Sequence, residues 1–445
     1  MKTRMYKFLL SVACFMSLGA AAFAQKDSTG NAYSLKEAVE YAKKNNYSLQ
    51  NAQLDEQAAR QKVKETTAMG LPQVNGSLGF NNNFSLQPFF FGMGDPIRAG
   101  AKITGNGGVT ANQLIFDGSY LVGLQAAKEY VKLSKQVSAK SELETEISVA
   151  KAYYLVLIAE ENIGLLESNL KQLEKTLSDT KALNKSGFAE KTDVDRLELA
   201  VSNIKLQKEK LIDQRELASK LLKMQMGISV NQSIRLTDKL ETLYSANLQL
   251  NEKATANPSN RIEYQLVSQQ IRLNELNKKR YKAGYLPSLS AIYSYNMNSF
   301  RNSSFKPLTS DGWYSSSFMG ISLNMPIFDG FRKQSLIQQS KIDLQKLDND
   351  RKNLENALTM ETFQAQTNYE TSVKQIDIRK GNMKLAEDIY RSVNLKYKNG
   401  VGSAFELTQA ETDLKTAQVN YLTAVYELLV AKIELNKALG KTIIN

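Results

Sequence analysis

The 445-residue chain has no histidine and a single cysteine, Cys14. Without imidazole and with one thiol there is no soft-ligand zinc or haem site, no Ser-His-Asp triad and no disulfide framework. Proline is scarce, at seven residues, while 42% of the chain is apolar, which excludes a disordered polymer. Beyond the first two dozen residues no run of 18 apolar residues occurs, so no membrane-spanning helix is expected. If such a chain meets a membrane, it does so through a closed β-barrel. A glycine-rich phosphate loop is missing as well. Asp193-Val194-Asp195 invites a metal-binding reading, but carboxylates at i and i+2 of a helix point to different sides. No catalytic, cofactor-binding or metal-ligating set is assigned, no cofactor is expected, and the chain is read as a non-enzyme.

The N-terminus is an address. Lys2, Arg4 and Lys7 precede an apolar run from Phe8 to Ala22, and Ala22-Phe23-Ala24 is a small-x-small cleavage site before Gln25. The pattern is that of an export signal over residues 1–24. Cys14 lies inside the apolar run, so cleavage after Ala24 rather than at a lipoprotein cysteine is expected, leaving a mature chain without cysteine. Loss of Lys2, Arg4 and Lys7 leaves 54 basic against 45 acidic residues, a mature net charge of +9. The densest basic cluster, Lys278-Lys279-Arg280, reads as a solvated helix face and not as a nucleic-acid patch.

Four landmarks recur in order. Gly70-Leu71-Pro72 returns as Tyr285-Leu286-Pro287, Ile115-Phe116-Asp117-Gly118 as Ile327-Phe328-Asp329-Gly330, Lys185-Ser186-Gly187 as Lys398-Asn399-Gly400, and Leu222 with Gly227 as Leu435 with Gly440. The offsets are 215, 212, 213 and 213 residues, far longer than a solenoid repeat. The chain is a duplication, with copies at about 25–228 and 258–445 and a polar linker at about 229–257. Within each copy the order is helix, two strands, a very long helix, a Gly turn and a shorter helix.

The strands are expected at about 73–85, 102–116, 288–299 and 316–328 from their period-2 alternation. Val74, Leu78, Phe80 and Phe84 alternate with Asn75, Ser77, Asn81 and Asn83; Met319, Ile321, Leu323, Met325 and Ile327 alternate with Ser322, Asn324 and Pro326. Each strand is long enough to cross a bilayer when tilted. Polar faces rich in Asn, Ser and Gly suit a water-filled lumen, and Phe89-Phe90-Phe91 and Trp313-Tyr314 between strands suit a membrane-interface girdle. The competing reading is a small soluble sheet packed on helices. Four strands cannot close a membrane barrel, which needs at least eight, so the open edges must pair with further copies. Two copies would give a filled interior, and three would give twelve strands and room for a pore; three is the expected number.

The long helices are expected at about 119–185 and 332–398, rods of roughly 100 Å, with returning helices at about 192–226 and 404–439. Leu407, Leu414, Tyr421, Leu428 and Leu435 recur every seventh residue, interleaved with Ala410, Ala417, Ala424, Ala431 and Ala438, a coiled-coil seam with large residues against small. Tyr369, Val373, Ile376, Met383, Tyr390 and Tyr397 form a matching row on the preceding helix, and Val194, Leu197, Val201, Ile204 and Leu211 begin the equivalent row in the first copy. Rods that continue from barrel strands would extend the barrel as a helical tube.

On these features the sequence resembles the outer-membrane efflux protein family, the TolC-like exit ducts of Gram-negative bacteria, over essentially the whole mature chain. The resemblance rests on the duplicated strand-pair-plus-coiled-coil plan, the I-F-D-G strand exits, and the turns Ser186-Gly187-Phe188-Ala189-Glu190 and Asn399-Gly400-Val401-Gly402-Ser403. It implies a mainly α protein with a membrane β-barrel: a homotrimer with a twelve-stranded barrel in outer-membrane lipid and an α-helical tunnel in the periplasm. It implies a passive conduit served by a periplasmic adaptor and an inner-membrane pump, either proton-driven or ATP-driven. The alternative is a periplasmic coiled-coil structural or adaptor protein without channel activity.

The resemblance also assigns roles at the turns. Gly187, Phe188 and Ala189, with Gly400, Val401, Gly402 and Ser403, fall on the motif that docks adaptor hairpins. Thr192, Asp193 and Tyr397 match a gate in which a Tyr hydroxyl bonds a carboxylate or hydroxyl. The prototype's gate Arg falls on Gly402, so the charged half of that latch is missing. Glu406 matches one carboxylate of an acidic ring that narrows the pore, and Gln409 stands at the other. An ordinary N-terminal helix carboxylate and an ordinary glycine turn are the competing readings for Glu406 and for the two turns.

Overall fold

The computed structural model describes residues 31–90, 92, 95–246, 257–302 and 312–441. The export signal and Phe91 lie outside the described residues. The elements in chain order are β1 (Asn31–Tyr33), α1 (Leu35–Asn45), α2 (Tyr47–Ala68), β2 (Gln73–Asn82), β3 (Pro88–Phe89), β4 (Ile97–Arg98), β5 (Ile103–Phe116), α3 (Gly118–Lys185) and α4 (Lys191–Met226). The second half contains β6 (Ile234–Leu236), α5 (Leu240–Ala246), a 3₁₀ turn, α6 (Ile262–Ala283), β7 (Ser288–Arg301), β8 (Trp313–Asn324), α7 (Arg332–Lys398) and α8 (Ala404–Ala438).

The two strand pairs merge into one antiparallel sheet of order β2-β5-β7-β8. Its register sorts the side chains by chemistry. Val74 pairs with Ala111, Ala111 with Tyr293 and Tyr293 with Met319; Leu78, Val109, Tyr295, Met297, Ile321 and Leu323 share that face. The other face carries Asn75, Ser77, Asn81, Asn106, Thr110, Ser294, Asn296, Ser322 and Asn324. Because strand residues alternate faces, one slip in register would mix the two sets. The sheet is therefore apolar on one side and polar on the other, the pattern of a barrel wall between lipid and water. In the single chain the wall is open: β2 and β8 are unpaired edges.

Three sequence expectations are corrected here. β8 starts earlier and ends earlier than about 316–328, at Trp313 and Asn324. Pro326 has no N–H for a ladder, so Met325, Ile327 and Phe328 leave the strand and stand exposed. Trp313 and Tyr314 thus belong to the strand and not to a loop, and Phe89 lies in the short β3–β4 ribbon. The linker segment contains β6, which pairs in parallel with β1, and α5; its residues 247–256 lie outside the described residues.

Each strand runs into or out of a helix, so the helices α2, α3, α6 and α7 form a wall in the strands' order. The exit from β5 is capped by Asp117, whose Oδ1 accepts from the Tyr120 N–H at 2.9 Å. With no proline inside, α3 runs for 68 residues and α7 for 67, about 100 Å each at 1.5 Å per residue.

Two apolar cores hold the rods together. The larger lies mid-length, around Tyr153, Leu222, Ile376, Leu428 and α1. The Tyr153 hydroxyl is 3.0 Å from both the Tyr33 carbonyl and Asp238 Oδ2, and that carboxylate also accepts from the Leu35 N–H at 2.7 Å. Arg261, almost fully buried, reaches Glu263, Glu361 and the Ala438 carbonyl. The smaller core lies near the hairpin turns, where Leu173, Leu197 and Val201 of the first copy meet Tyr390, Leu407 and Leu414 of the second.

Candidate functional site

Both hairpin turns are built by the same backbone device. At the end of α3, the Phe188 N–H donates to the Leu183 carbonyl at 2.9 Å and the Gly187 N–H to Asn184 at 3.0 Å. At the end of α7, the Val401 N–H donates to Lys396 at 3.1 Å and the Gly400 N–H to Tyr397 at 3.0 Å. The pivots are left-handed, with φ +80° at Gly187 and +75° at Gly400, a conformation glycine adopts without strain. The apolar residue after such a turn usually folds back onto its helix. Here Phe188 and Val401 are 82% and 77% exposed, so each tip displays an unpartnered apolar side chain.

The flanking residues fix the exits. Asn184 Nδ2 donates to the Ala189 carbonyl at 2.8 Å. Ser403 caps α8, its Oγ accepting from the Glu406 N–H at 3.2 Å. A Cβ on Gly402 would lie 3.0 Å from the Tyr397 nitrogen, so the position where the resemblance would place an Arg is closed to larger residues without backbone movement.

Of the residues matched to the gate, Tyr397 has its hydrogen-bond partner on α3 and lies near the Asp193 charge. Tyr397 Oη lies 2.9 Å from Thr180 Oγ1, and Thr180 donates its own proton to the Thr176 carbonyl at 2.9 Å. The Tyr397 hydroxyl therefore donates to Thr180, not to Thr192 or Asp193. Burial pushes the Tyr397 hydroxyl up, and the nearby Asp193 charge adds to the shift. Thr192 is exposed and donates to Glu190 Oε2 at 2.9 Å. Glu406 and Gln409 stand together on the exposed face of α8, where Gln409 Nε2 donates to Asp413 Oδ1 at 3.0 Å. Arg196 lies over the Phe405 ring at 5.6 Å, joining the two tips.

Two residues escaped the sequence reading. Thr180 continues the seven-residue row of Leu166 and Leu173, and that spacing could have revealed it. Glu411 is 5% exposed, inside the seam that Leu407 and Leu414 define. Loss of water pushes its carboxyl up to about 7, with Lys415 opposing. Tyr390 across the seam is pushed up to about 12 by burial and by the Glu411 charge. Asn394 Oδ1, one turn from Tyr390, is buried without a hydrogen-bond partner. The apolar tip seam thus also holds polar groups shut away from water. Among the described residues no cluster of metal-ligating side chains and no helix apolar enough to cross a membrane occurs.

The family model described as "Outer membrane efflux protein" matches residues 38–228 and 259–441. The chain belongs to that family. The outer membrane efflux protein is 22% identical over 432 residues to "Outer membrane protein TolC" of Vibrio cholerae, covering 95% of this chain and 94% of that one. Its fold matches the CmeC outer membrane channel of Campylobacter jejuni at a TM-score of 0.77 and 17% identity, over 91% of this chain and 85% of the other. It matches the open state of the MtrE outer membrane channel of Neisseria gonorrhoeae at 0.71 and 19%, over 92% and 89%. This efflux protein is accordingly an outer-membrane protein, with its sheet as the membrane portion and its helices on the periplasmic side.

Proposed function

We propose that the protein is the trimeric exit duct of a tripartite efflux or secretion system, passively conducting cargo that an inner-membrane pump delivers through a periplasmic adaptor. The observation that carries this reading is the open, two-faced sheet. A wall with an apolar face, a polar face and two unpaired edges is incomplete in one chain, and three copies supply the twelve strands that leave room for a pore. Exposed apolar side chains on the rods support the same assembly. Leu199 and Leu206 on α4 stand eight and fifteen residues from Lys191, and Ile389 and Leu385 on α7 nine and thirteen from Lys398. They lie at similar heights above the tips, so a neighbour's α7 can cover α4. The test is the mature protein in mild detergent and in planar lipid bilayers. A trimer with stepwise ion conductance is the expected result; a monomer without conductance overturns the reading.

The adaptor half of the proposal rests on the two tips. A Cβ at Gly400 meets nothing within 4 Å, so Gly400→Arg costs the fold about 1–2 kcal/mol of backbone strain while placing bulk and charge beside Val401. Export in cells should be lost while the trimer still reaches the outer membrane. Export at the wild-type level would remove docking at this turn.

A further inference from the structure

The helical wall, just below the sheet, borders an open cavity of about 1330 Å³ between α2, α3, α6 and α7. That exceeds the roughly 300–1,000 Å³ of ordinary small-molecule pockets. Its floor includes Tyr130, Leu133, Leu273 and Leu336, and Arg280 and Arg332 stand at its membrane end. We propose that this cavity is a wall site for small amphipathic anions, an apolar body carrying a carboxylate, sulfate or sulfonate, held at Arg280 and Arg332. The proposal rests on the duct reading above.

On the duct reading the cavity faces the water-filled side. On α3 the lining residues Gly123, Tyr130 and Val137 occupy one face, and Leu121, Gln125, Lys128 and Lys132 the opposite one. Leu121 is an exposed apolar residue at the membrane end, as is Phe331 at the start of α7, which does not line the cavity. Met69, which lines the cavity, is exposed at the same level, so the assignment of the cavity side to the inner wall comes from the duct reading.

The charges at the cavity are unequal in their commitments. Lys62 pairs with Glu65 at 2.7 Å and Lys333 with Asp329 at 3.5 Å. Asp117 is occupied as the cap of α3. Asp55 lies 14 residues before Met69 on α2, about 20 Å below the sheet end. Among the described residues neither Arg280 nor Arg332 has a carboxylate within 4 Å; Arg280 is steadied only by the Tyr281 ring at 5.4 Å. Two free guanidinium forks beside an apolar floor match a bidentate anionic head with an apolar body.

The experiment is single-channel block of the full mature protein in planar bilayers. The probes are the anionic amphipath 8-anilinonaphthalene-1-sulfonate and the cationic amphipath ethidium. The sulfonate should block the wild type, and in Arg280→Ala/Arg332→Ala its half-blocking concentration should rise about tenfold, the loss of a charge-assisted contact, with ethidium block unchanged. The Arg280→Lys/Arg332→Lys protein keeps the charge without the fork and should fall between the two; it also guards against misfolding of the Ala variant. Conductance with equal sulfonate block in the wild type and both variants overturns the wall site and leaves the duct intact. Absence of any wild-type conductance overturns the duct and the site with it.

Discussion

Gly227→Ala should be among the most damaging single substitutions in the molecule, while Gly440→Ala, its counterpart in the second copy, should be mild. Both glycines end a returning helix in the left-handed conformation, with φ +74° and +65°, and an alanine pays about 1–2 kcal/mol for that alone. Their surroundings differ. A Cβ on Gly227 would lie 2.1 Å from the Asn45 carbonyl oxygen and 2.6 Å from its carbon. These are backbone atoms in the joint between α1 and α2, held by Asn46 Nδ2 donating to the Gln225 carbonyl at 2.7 Å, and they cannot swing aside. The nearest atom to a Cβ on Gly440 is 3.5 Å away, ordinary contact. Denaturant unfolding should place Gly227→Ala in the exceptional range above ~4 kcal/mol or yield no folded protein, and Gly440→Ala within about 2 kcal/mol of wild type. Equal losses at the two sites would contradict the packing at the α1–α2 joint.

Raising the pH should loosen the tip seam, and Glu411→Gln should abolish that response. The folded carboxyl is pushed up to about 7 from an ordinary 4.5, because burial disfavours its charged form. Below 4.5 the group is neutral in both states and contributes no penalty. Between 4.5 and 7 the open state has released the proton that the closed seam retains, so stability falls as pH rises. Above 7 the closed seam carries a buried charge facing Tyr390, with Lys415 as its nearest cation. The full penalty is about 3 kcal/mol, at roughly 1.4 kcal/mol per pH unit. Hydrogen exchange of the amides in 390–397 and 404–414, corrected for intrinsic rates, should show protection in the wild type declining from pH 5 to pH 8. Glu411→Gln should match the wild type at pH 5 and retain its protection at pH 8. An identical decline in both proteins would assign the response to another group, and wild-type protection that holds to pH 8 would show that the carboxylate reaches water or a partner when it ionises.

Much of the architecture was written in local periodicity. The alternation in β2 and β8, the leucine and alanine rows of α8, and the absence of proline from α3 and α7 each specify an element without reference to distant residues. The duplicated glycine turns were legible for the same reason, since a left-handed pivot is a property of one residue. The site was less legible. Tyr397 could be found by its row, but its partner Thr180 lies 217 positions away on α3. Glu411 carries no local signal of its burial, which comes from the packing around α8.

The duplication shows where the sequence stops. Ile115-Phe116-Asp117-Gly118 and Ile327-Phe328-Asp329-Gly330 are the same four residues. In the first copy the strand runs to Phe116 with a register shift near Leu114 and Asp117 caps the helix at once; in the second, Pro326 has already ended the strand and Gly330 and Phe331 turn left-handed. The sequence by itself determined two copies, their strands and rods, the two-faced wall and the glycine pivots, because period, proline and glycine act within a few residues. Only the tertiary structure decided which glycine has backbone pressed against it, which carboxylate is shut away from water and which arginines stand without a counter-ion. Those properties belong to the distance between side chains far apart in the chain, and that distance is fixed by how the two copies pack.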